Sequence, residues 1–197
     1  YIYTTSISPG LDAHFAKYAT DVIERVQPKL GGYVLDIGSN DGTLLRAFKG
    51  RGYNVYGIDP AASIAARATA SGIPTEAGGF TQLTAQDLLD AHGPAALITA
   101  NHIMANVADL HDFIEGVKTL LAPDGTFVFE TGYWPAIRDK RLIDTIEHEH
   151  IHYFAATPLS KLFARHGLAL MKVIEQPTKG GSIRGFVQHK QPVMPTY

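Results

Sequence analysis

The feature that most constrains this fold is the stretch over residues 33–45, which reads YVLDIGSNDGTLL. Its first five residues are β-prone and bounded by glycines, and leucines then recur at helical spacing. A strand that enters a helix through a glycine turn brings bare backbone N–H groups close to a ligand, because no Cβ blocks the approach. The stretch therefore predicts a nucleotide-type binding turn at the end of a buried strand.

The residues of this turn indicate which ligand class it binds. The dinucleotide fingerprint G-x-G-x-x-G is not met, because Asn40 and Thr43 occupy the positions of its second and third glycines. No Gly-Lys-Ser/Thr follows, which excludes a P-loop. The pattern D-x-G-x-x-x-G, led by Asp36, instead resembles motif I of class I S-adenosylmethionine (SAM) methyltransferases. SAM has an amino-acid head and no phosphate, so a carboxylate at the turn can help to hold its ammonium group.

A second acidic residue supports the same ligand. Asp59 ends the predicted strand over residues 55–59 and follows Asp36 by 23 positions, and a carboxylate there accepts hydrogen bonds from ribose hydroxyls. Phe80, after the third strand, is predicted to pack near the adenine. The alternatives are a generic Rossmann-like turn capped by the two carboxylates, and an ordinary core position for Phe80. The predicted cofactor-binding residues are Asp36, Gly38, Ser39, Asn40, Gly42, Asp59, Pro60, Phe80, Asn101 and His102.

Strands and helices alternate along most of the chain. After a helix over residues 11–26, the predicted strands cover residues 33–37, 55–59, 73–76, 95–100, 126–130, 168–175 and 182–189. Strict alternation implies a parallel sheet, and the last two strands form a hairpin-like pair. We therefore expect an α/β, Rossmann-like class I methyltransferase fold with a seven-stranded, mainly parallel sheet and helices on both faces. Residues 1–30 form a lead-in and helix, and residues 31–197 form a SAM-binding methyltransferase domain that we expect to be part of a longer protein.

Composition excludes several functions. The net charge is −2, which gives no electrostatic reason to expect binding to nucleic acid or to a membrane. The sequence contains no cysteine, which excludes disulfides, thiolate catalysis and cysteine zinc sites within this chain. It shows no run of 18 apolar residues and no signal peptide, so we expect a cytoplasmic protein.

The second unusual stretch is EHEHIHYF, residues 147–154. His148 and His152 formally match the zinc-protease motif H-E-x-x-H, which works only on a helix. The helix signal begins later, at Thr157-Pro158, so we expect no bound metal. If the segment is extended, His148, His150 and His152 share one side. An acid–base cluster is the favoured interpretation, and a zinc site or solvated loop histidines are the alternatives.

Several pieces together resemble one family, the SAM-dependent C-methyltransferases that act on nucleotide-linked keto-deoxysugars. These pieces are residues 1–3, 35–42, 57–60, 101–107, 116–121, 144–150, 153–154 and 180–184. The His-Glu-His segment followed by Tyr153-Phe154 is the discriminating part. The family commonly has tyrosine where this chain has Glu147 and histidine where it has Asn106. Similar members carry a zinc-binding N-terminal domain and a further C-terminal domain.

This resemblance implies methylation of carbon, which requires a base that removes a proton next to a ketone and an enolate aligned with the SAM methyl group. We predict His150 as the base and Glu149 as the group that orients it. The predicted substrate-binding residues are Tyr1, Tyr3, Asn106, His148 and Tyr153. The expected partner is a small molecule, a nucleotide-sugar. An O- or N-methyltransferase, a non-catalytic SAM-binding module and a dehydrogenase are the open alternatives.

Overall fold

The structure, a computed structural model, describes residues 11–191 of the chain. Its core is a seven-stranded sheet in the order β3-β2-β1-β4-β5-β7-β6. The strands are β1 (Tyr33–Ile37), β2 (Asn54–Asp59), β3 (Thr75–Ala77), β4 (Ala95–Asn101), β5 (Leu121–Gly132), β6 (Leu168–Gln176) and β7 (Ser182–His189). The helices are α1 (Leu11–Val26), α2 (Thr43–Lys49), α3 (Ala62–Ala70), α4 (Gln82–His92), α5 (Leu110–Leu120), α6 (Trp134–Lys140) and α7 (Ala156–Arg165).

The strand pairing follows the β-α alternation. Strands β1 to β5 pair in parallel, and β1 lies between β2 and β4. Strand β7 runs antiparallel between β5 and β6. This arrangement confirms the predicted seven-stranded, mainly parallel sheet. It also places the ends of β1, β2, β4 and β5 at one edge, where α/β proteins bind ligands.

Both faces of the sheet are covered by helices. On one face, Tyr18 of α1 and Phe48 of α2 are buried against β1 residues such as Val34. On the other, Phe113 of α5 and Phe163 of α7 are fully buried. Strand β1 is buried throughout, as its apolar sequence predicts for a parallel strand covered on both sides.

Two elements differ most from the prediction. Strand β5 begins at Leu121 rather than Thr126, because Leu121 pairs with Ala95 across a register shift in β4. Residues 133–153 showed no clean period, yet α6 forms there. Its Pro135 lies in the first turn, and Ile137 is its one buried residue, so the helix has no apolar stripe that a sequence pattern could show. No helix in the described part of the chain is long and apolar enough to cross a membrane.

Candidate active site

The backbone N–H groups of the turn after β1 donate hydrogen bonds to other atoms of the protein. The N–H groups of Gly38 and Ser39 donate to the Ile58 carbonyl at 2.8 and 3.2 Å. The N–H of Asn40 donates to the Asp59 carboxylate at 2.8 Å, and that of Gly42 donates to the Ser39 carbonyl at 3.0 Å. The prediction that this turn presents bare N–H groups to a ligand is therefore wrong, because these groups already donate hydrogen bonds to the protein. Such a turn serves a phosphate poorly, which agrees with a ligand that has none.

Glycine is required in this turn for its backbone conformation. Gly38 and Gly42 have φ of 74° and 77°, in the left-handed region. A Cβ at Gly42 would also meet the side chain of Ile73 at 2.8 Å. The two glycines thus fix the path of the loop and the start of α2, rather than exposing donors.

Asp36 lies buried in β1 under this turn. Its Oδ1 accepts a hydrogen bond of 2.6 Å from the hydroxyl of Thr99 in β4. Burial raises the pKa of Asp36 to about 7, with the nearby charge of Asp59 adding to the rise and the Thr99 hydrogen bond opposing it. A carboxyl group that titrates near neutrality binds a cation only when it is ionised.

Asp59 holds the loop as well as facing the ligand edge. Its Oδ2 accepts from the Asn40 N–H at 2.8 Å, and its Oδ1 accepts from the Ala61 N–H at 2.9 Å. Each oxygen keeps a further lone pair, so a ribose contact is compatible with both bonds. Pro60, the next residue, is exposed.

The remaining predicted cofactor residues follow β3 and β4. The amide of Asn101 is buried beside the Tyr18 hydroxyl, and among the described residues neither amide atom makes a hydrogen bond of regular geometry. Phe80 packs edge-on against Phe113 with ring centroids 5.5 Å apart, so its ring belongs at least partly to the core. His102 has φ of 57°, a strained conformation for a residue with a side chain.

A cavity of about 300 Å³ opens beside the ends of β4 and β5. It is lined by His102, Ala105, Thr131, Gly132, Ile137, Thr145, Glu147, His150, His152, Tyr153 and Lys179. Its volume is at the lower end of the range for small-molecule sites, enough for one sugar ring. The structure thus brings three histidines to one cavity at the ligand edge of the sheet.

His150 is oriented by a backbone carbonyl. Its Nδ1 lies 3.0 Å from the carbonyl oxygen of Thr145. Since a carbonyl only accepts, Nδ1 carries the proton and Nε2 keeps a lone pair, as a base requires. The contact expected from Glu149 is therefore made by Thr145 instead. Glu149 is exposed because residues 147–150 form a turn closed by a hydrogen bond from His150 N to the Glu147 carbonyl at 3.0 Å.

The same turn separates the predicted substrate residues. His148 is exposed at its tip, so the alternation expected of an extended segment is wrong for this residue. Tyr153 lines the cavity and contacts Trp134, with ring centroids 5.6 Å apart. Asn106 is exposed and lies outside the cavity lining. Tyr1 and Tyr3 lie outside the described residues.

The helix that H-E-x-x-H requires is not formed by this turn. His152 is fixed by a different element, since its Nε2 donates to the Val107 carbonyl at 3.0 Å and its backbone N–H donates to Ala105. Over residues 11–191, no group of three His, Asp or Glu side chains could hold a metal ion together.

Sequence reasoning missed Glu130, which contacts His102 of the cavity lining and Thr178, the chain neighbour of Lys179. This buried residue of β5 accepts hydrogen bonds from Arg184 at 2.9 Å and Thr178 at 2.5 Å, and it lies 3.4 Å from His102 Nε2. Burial acts to raise the pKa of Glu130, but these partners outweigh it and hold the value at about 2. Burial also lowers the pKa of His102 despite its carboxylate neighbour. The one available signal was an acidic residue at the end of an apolar strand.

The sequence profile of the family described as "Methyltransferase domain" matches residues 11–173. The C-methyltransferase NovU of Streptomyces niveus is 36% identical over 183 residues, which are 93% of this chain and 44% of that protein. The chain thus spans less than half the length of this relative.

Solved structures share the fold. A SAM-dependent methyltransferase from Anabaena variabilis superposes with a TM-score of 0.71 at 14% identity, over 90% of this chain and 86% of that one. Magnesium protoporphyrin IX methyltransferase from Synechocystis, with bound SAH, superposes with a TM-score of 0.67 at 11% identity, over 90% of this chain and 83% of that one. The glycopeptide N-methyltransferase MtfA, complexed with SAM, superposes with a TM-score of 0.66 at 13% identity, over 88% of this chain and 93% of that one.

The chain belongs to the methyltransferase-domain family. Methyltransferases that share its fold are described as SAM-dependent or were solved with SAM or SAH, so S-adenosylmethionine is the group to be tested against the ligand edge. The residues at the ligand edge fit this group. The N–H groups of the loop after β1 donate hydrogen bonds within the protein, as a ligand without phosphate allows. The buried side-chain polar atoms of Ser39 and Asn101 have no regular hydrogen-bond partner within the described residues. A Cβ added at Gly78 or Gly79 would meet no atom within 4 Å.

Proposed function

We propose that this chain transfers the methyl group of SAM to the carbon next to the ketone of a nucleotide-linked keto-deoxysugar. The observation that carries the proposal is the cavity beside β4 and β5, in which the unprotonated nitrogen of His150 is available as a base. SAM supplies an electrophilic methyl group on a sulfonium. The protein must therefore generate a carbon nucleophile and align it.

His150 removes the α-proton of the ketone in this proposal. The Thr145 carbonyl holds the Nδ1 proton, so Nε2 accepts the substrate proton and the imidazolium that forms remains hydrogen-bonded. The cavity lies at the same edge of the sheet as the Asp36 and Asp59 turns, where the proposed cofactor residues are. The enolate and the methyl donor then occupy neighbouring sites.

The acceptor class is supported by two observations. The relative NovU is a C-methyltransferase, and it matches nearly the whole of this chain. The cavity has room for one sugar ring, which leaves a nucleotide to extend past Tyr153 and Trp134 at the mouth. Glu147, which lines the cavity, and the exposed Asn106 are the positions where this chain departs from the family pattern, so they are the proposed determinants of which sugar is accepted.

The test is exchange of the substrate α-proton with deuterated water, followed by NMR with a nucleoside-diphosphate-linked 4-keto-6-deoxyhexose. The parent chain should exchange the proton. His150→Asn should lower the rate by about 10²–10⁴-fold while SAM affinity stays unchanged. His92→Asn removes an exposed histidine at the end of α4 and is the matched control. Exchange by His150→Asn at the parent rate removes His150 as the base, and His102 or His152 then becomes the candidate.

A further inference from the structure

The hydrogen-bond donors of the cavity are few. When an α-proton leaves, negative charge develops on the ketone oxygen, and a donor or cation must meet it there. The three cavity histidines direct their protonated nitrogen at an oxygen of the protein: His150 at Thr145, His152 at Val107, and His102 at Glu130. As neutral rings they offer the cavity acceptors only.

The hydroxyl groups of the lining are uncharged donors, whose hydrogen bonds to a developing negative charge are weaker than those of a cation. The Thr145 hydroxyl donates to the Leu142 carbonyl at 2.7 Å. The Thr131 hydroxyl oxygen is buried and has no hydrogen-bond partner among the described residues. Tyr153 offers a phenol hydroxyl at the mouth of the cavity and is 37% exposed. Lys179 remains as the cation of the lining.

The turn that carries Lys179 has a fixed and strained shape. Lys179 has φ of 48° within the 3₁₀ turn Thr178–Gly180, which joins β6 to β7. The Thr178 hydroxyl anchors this turn to Glu130 at 2.5 Å, and Lys140 donates to the Gly180 carbonyl at 2.7 Å. A side chain held at a strained φ between two anchors is a feature typical of functional sites.

The charges around Lys179 leave its ammonium available. Part of the side chain is exposed, and the rest lines the cavity. Desolvation lowers the pKa of Lys179, while Glu147 and Glu130 act in the opposite direction. Glu130 is already paired with Arg184 at 2.9 Å, and within the described residues no carboxylate forms an ion pair with Lys179.

We propose that the Lys179 ammonium binds the ketone oxygen of the substrate and stabilises the negative charge that this oxygen gains when His150 removes the α-proton. The C–H electron pair becomes the enolate π bond, the proton moves to His150 Nε2, and the enolate then forms a carbon–carbon bond as the sulfonium loses its methyl group. This role rests on the proposed function. It adds a catalytic residue that neither the sequence motifs nor the relatives indicated.

The test uses proton exchange, methyl transfer and SAM affinity in parallel, with the same 4-keto-6-deoxyhexose nucleotide. Lys179→Met should lower the rate of exchange and kcat by about 10²–10³-fold, with a smaller change in KM, and Lys179→Arg should recover part of the loss. Lys172→Met removes an exposed charge from neighbouring β6 and is the control. Melting temperature and SAM affinity should stay at parent values, which a merely structural lysine would not allow.

The outcomes separate the two proposals. An active parent chain with an unimpaired Lys179→Met variant refutes the role of Lys179 and leaves the proposed function standing. A parent chain that neither exchanges nor methylates refutes the proposed function, and the role of Lys179 with it. Borohydride trapping is the second measurement. A reduced ketone adduct on Lys179 would identify an imine-forming amine and overturn the ammonium role.

Discussion

Asp36 makes SAM affinity dependent on pH if its carboxylate holds the SAM ammonium. Burial raises the pKa of Asp36 to about 7 in the unliganded chain, so the protonated form is favoured below that value. Binding of the ammonium selects the ionised form, and affinity must fall as pH falls through 7. For a single group with this pKa, the dissociation constant should rise about fivefold from pH 7 to pH 6, and about fiftyfold from pH 7 to pH 5.

Isothermal titration calorimetry measures this directly. Repeating the titration in buffers of different ionisation enthalpy should show about half a proton released on binding at pH 7. Asp36→Asn should bind SAM more weakly at pH 7 and lose most of the pH dependence. The calorimetric titrations are carried out below about pH 7.5, because the α-amino group of SAM itself loses its proton above that pH.

The unfolding free energy of the unliganded chain provides a check of opposite sign. The folded pKa of Asp36 is raised above its model value of 3.8, so the folded chain binds more protons than the unfolded one between these values. The contribution of Asp36 to stability therefore decreases as pH rises from 3.8 to about 7 and levels off above that value, where both states are ionised. A SAM affinity that is independent of pH, or equally dependent in Asp36→Asn, refutes the proposed contact between Asp36 and the ammonium.

Two further predictions concern stability. Gly185→Ala in β7 places a Cβ against the buried Phe129 ring and should lower the unfolding free energy by about 1–3 kcal/mol in urea titrations. Gly79→Ala, whose added Cβ would meet no atom within 4 Å, is the control and should change the unfolding free energy little. Equal losses in the two variants would contradict this packing. Glu130→Ala removes the 2.9 Å partner of buried Arg184 and leaves it the longer, 3.9 Å ion pair with Asp21, which should cost about 3–5 kcal/mol. Adding Arg184→Met should restore part of that loss, and a fully additive double variant would show that the pair is not coupled.

The sequence predicted the sheet well because its strands are local features. Strand β1 has the predicted bounds, and Asp36 and Asp59 lie at the carboxyl ends of β1 and β2, where the sequence placed them. Alternation of strands and helices leaves few topologies once connections are right-handed. The short helix α6 was missed because only Ile137 is buried in it.

The chemistry of the site depends on contacts between distant residues, and these were not predictable from one sequence. Adjacency along the chain suggested that Glu149 orients His150, but a turn directs Glu149 outward and Thr145 makes the contact. Glu130 meets Arg184 through the antiparallel register of β5 and β7, 54 positions apart. No local pattern encodes such a register, which is set by packing of the whole sheet.

The central claim is that the methyl group goes to carbon, and the position of the transferred group tests it most directly. The unsubstituted protein should be incubated with methyl-¹³C-labelled SAM and the 4-keto-6-deoxyhexose nucleotide, and the product examined by carbon–proton correlation NMR. The account predicts a labelled methyl group bonded to the carbon next to the ketone, and its absence with His150→Asn. A labelled methyl group on oxygen or nitrogen, formed equally well by that variant, would contradict it.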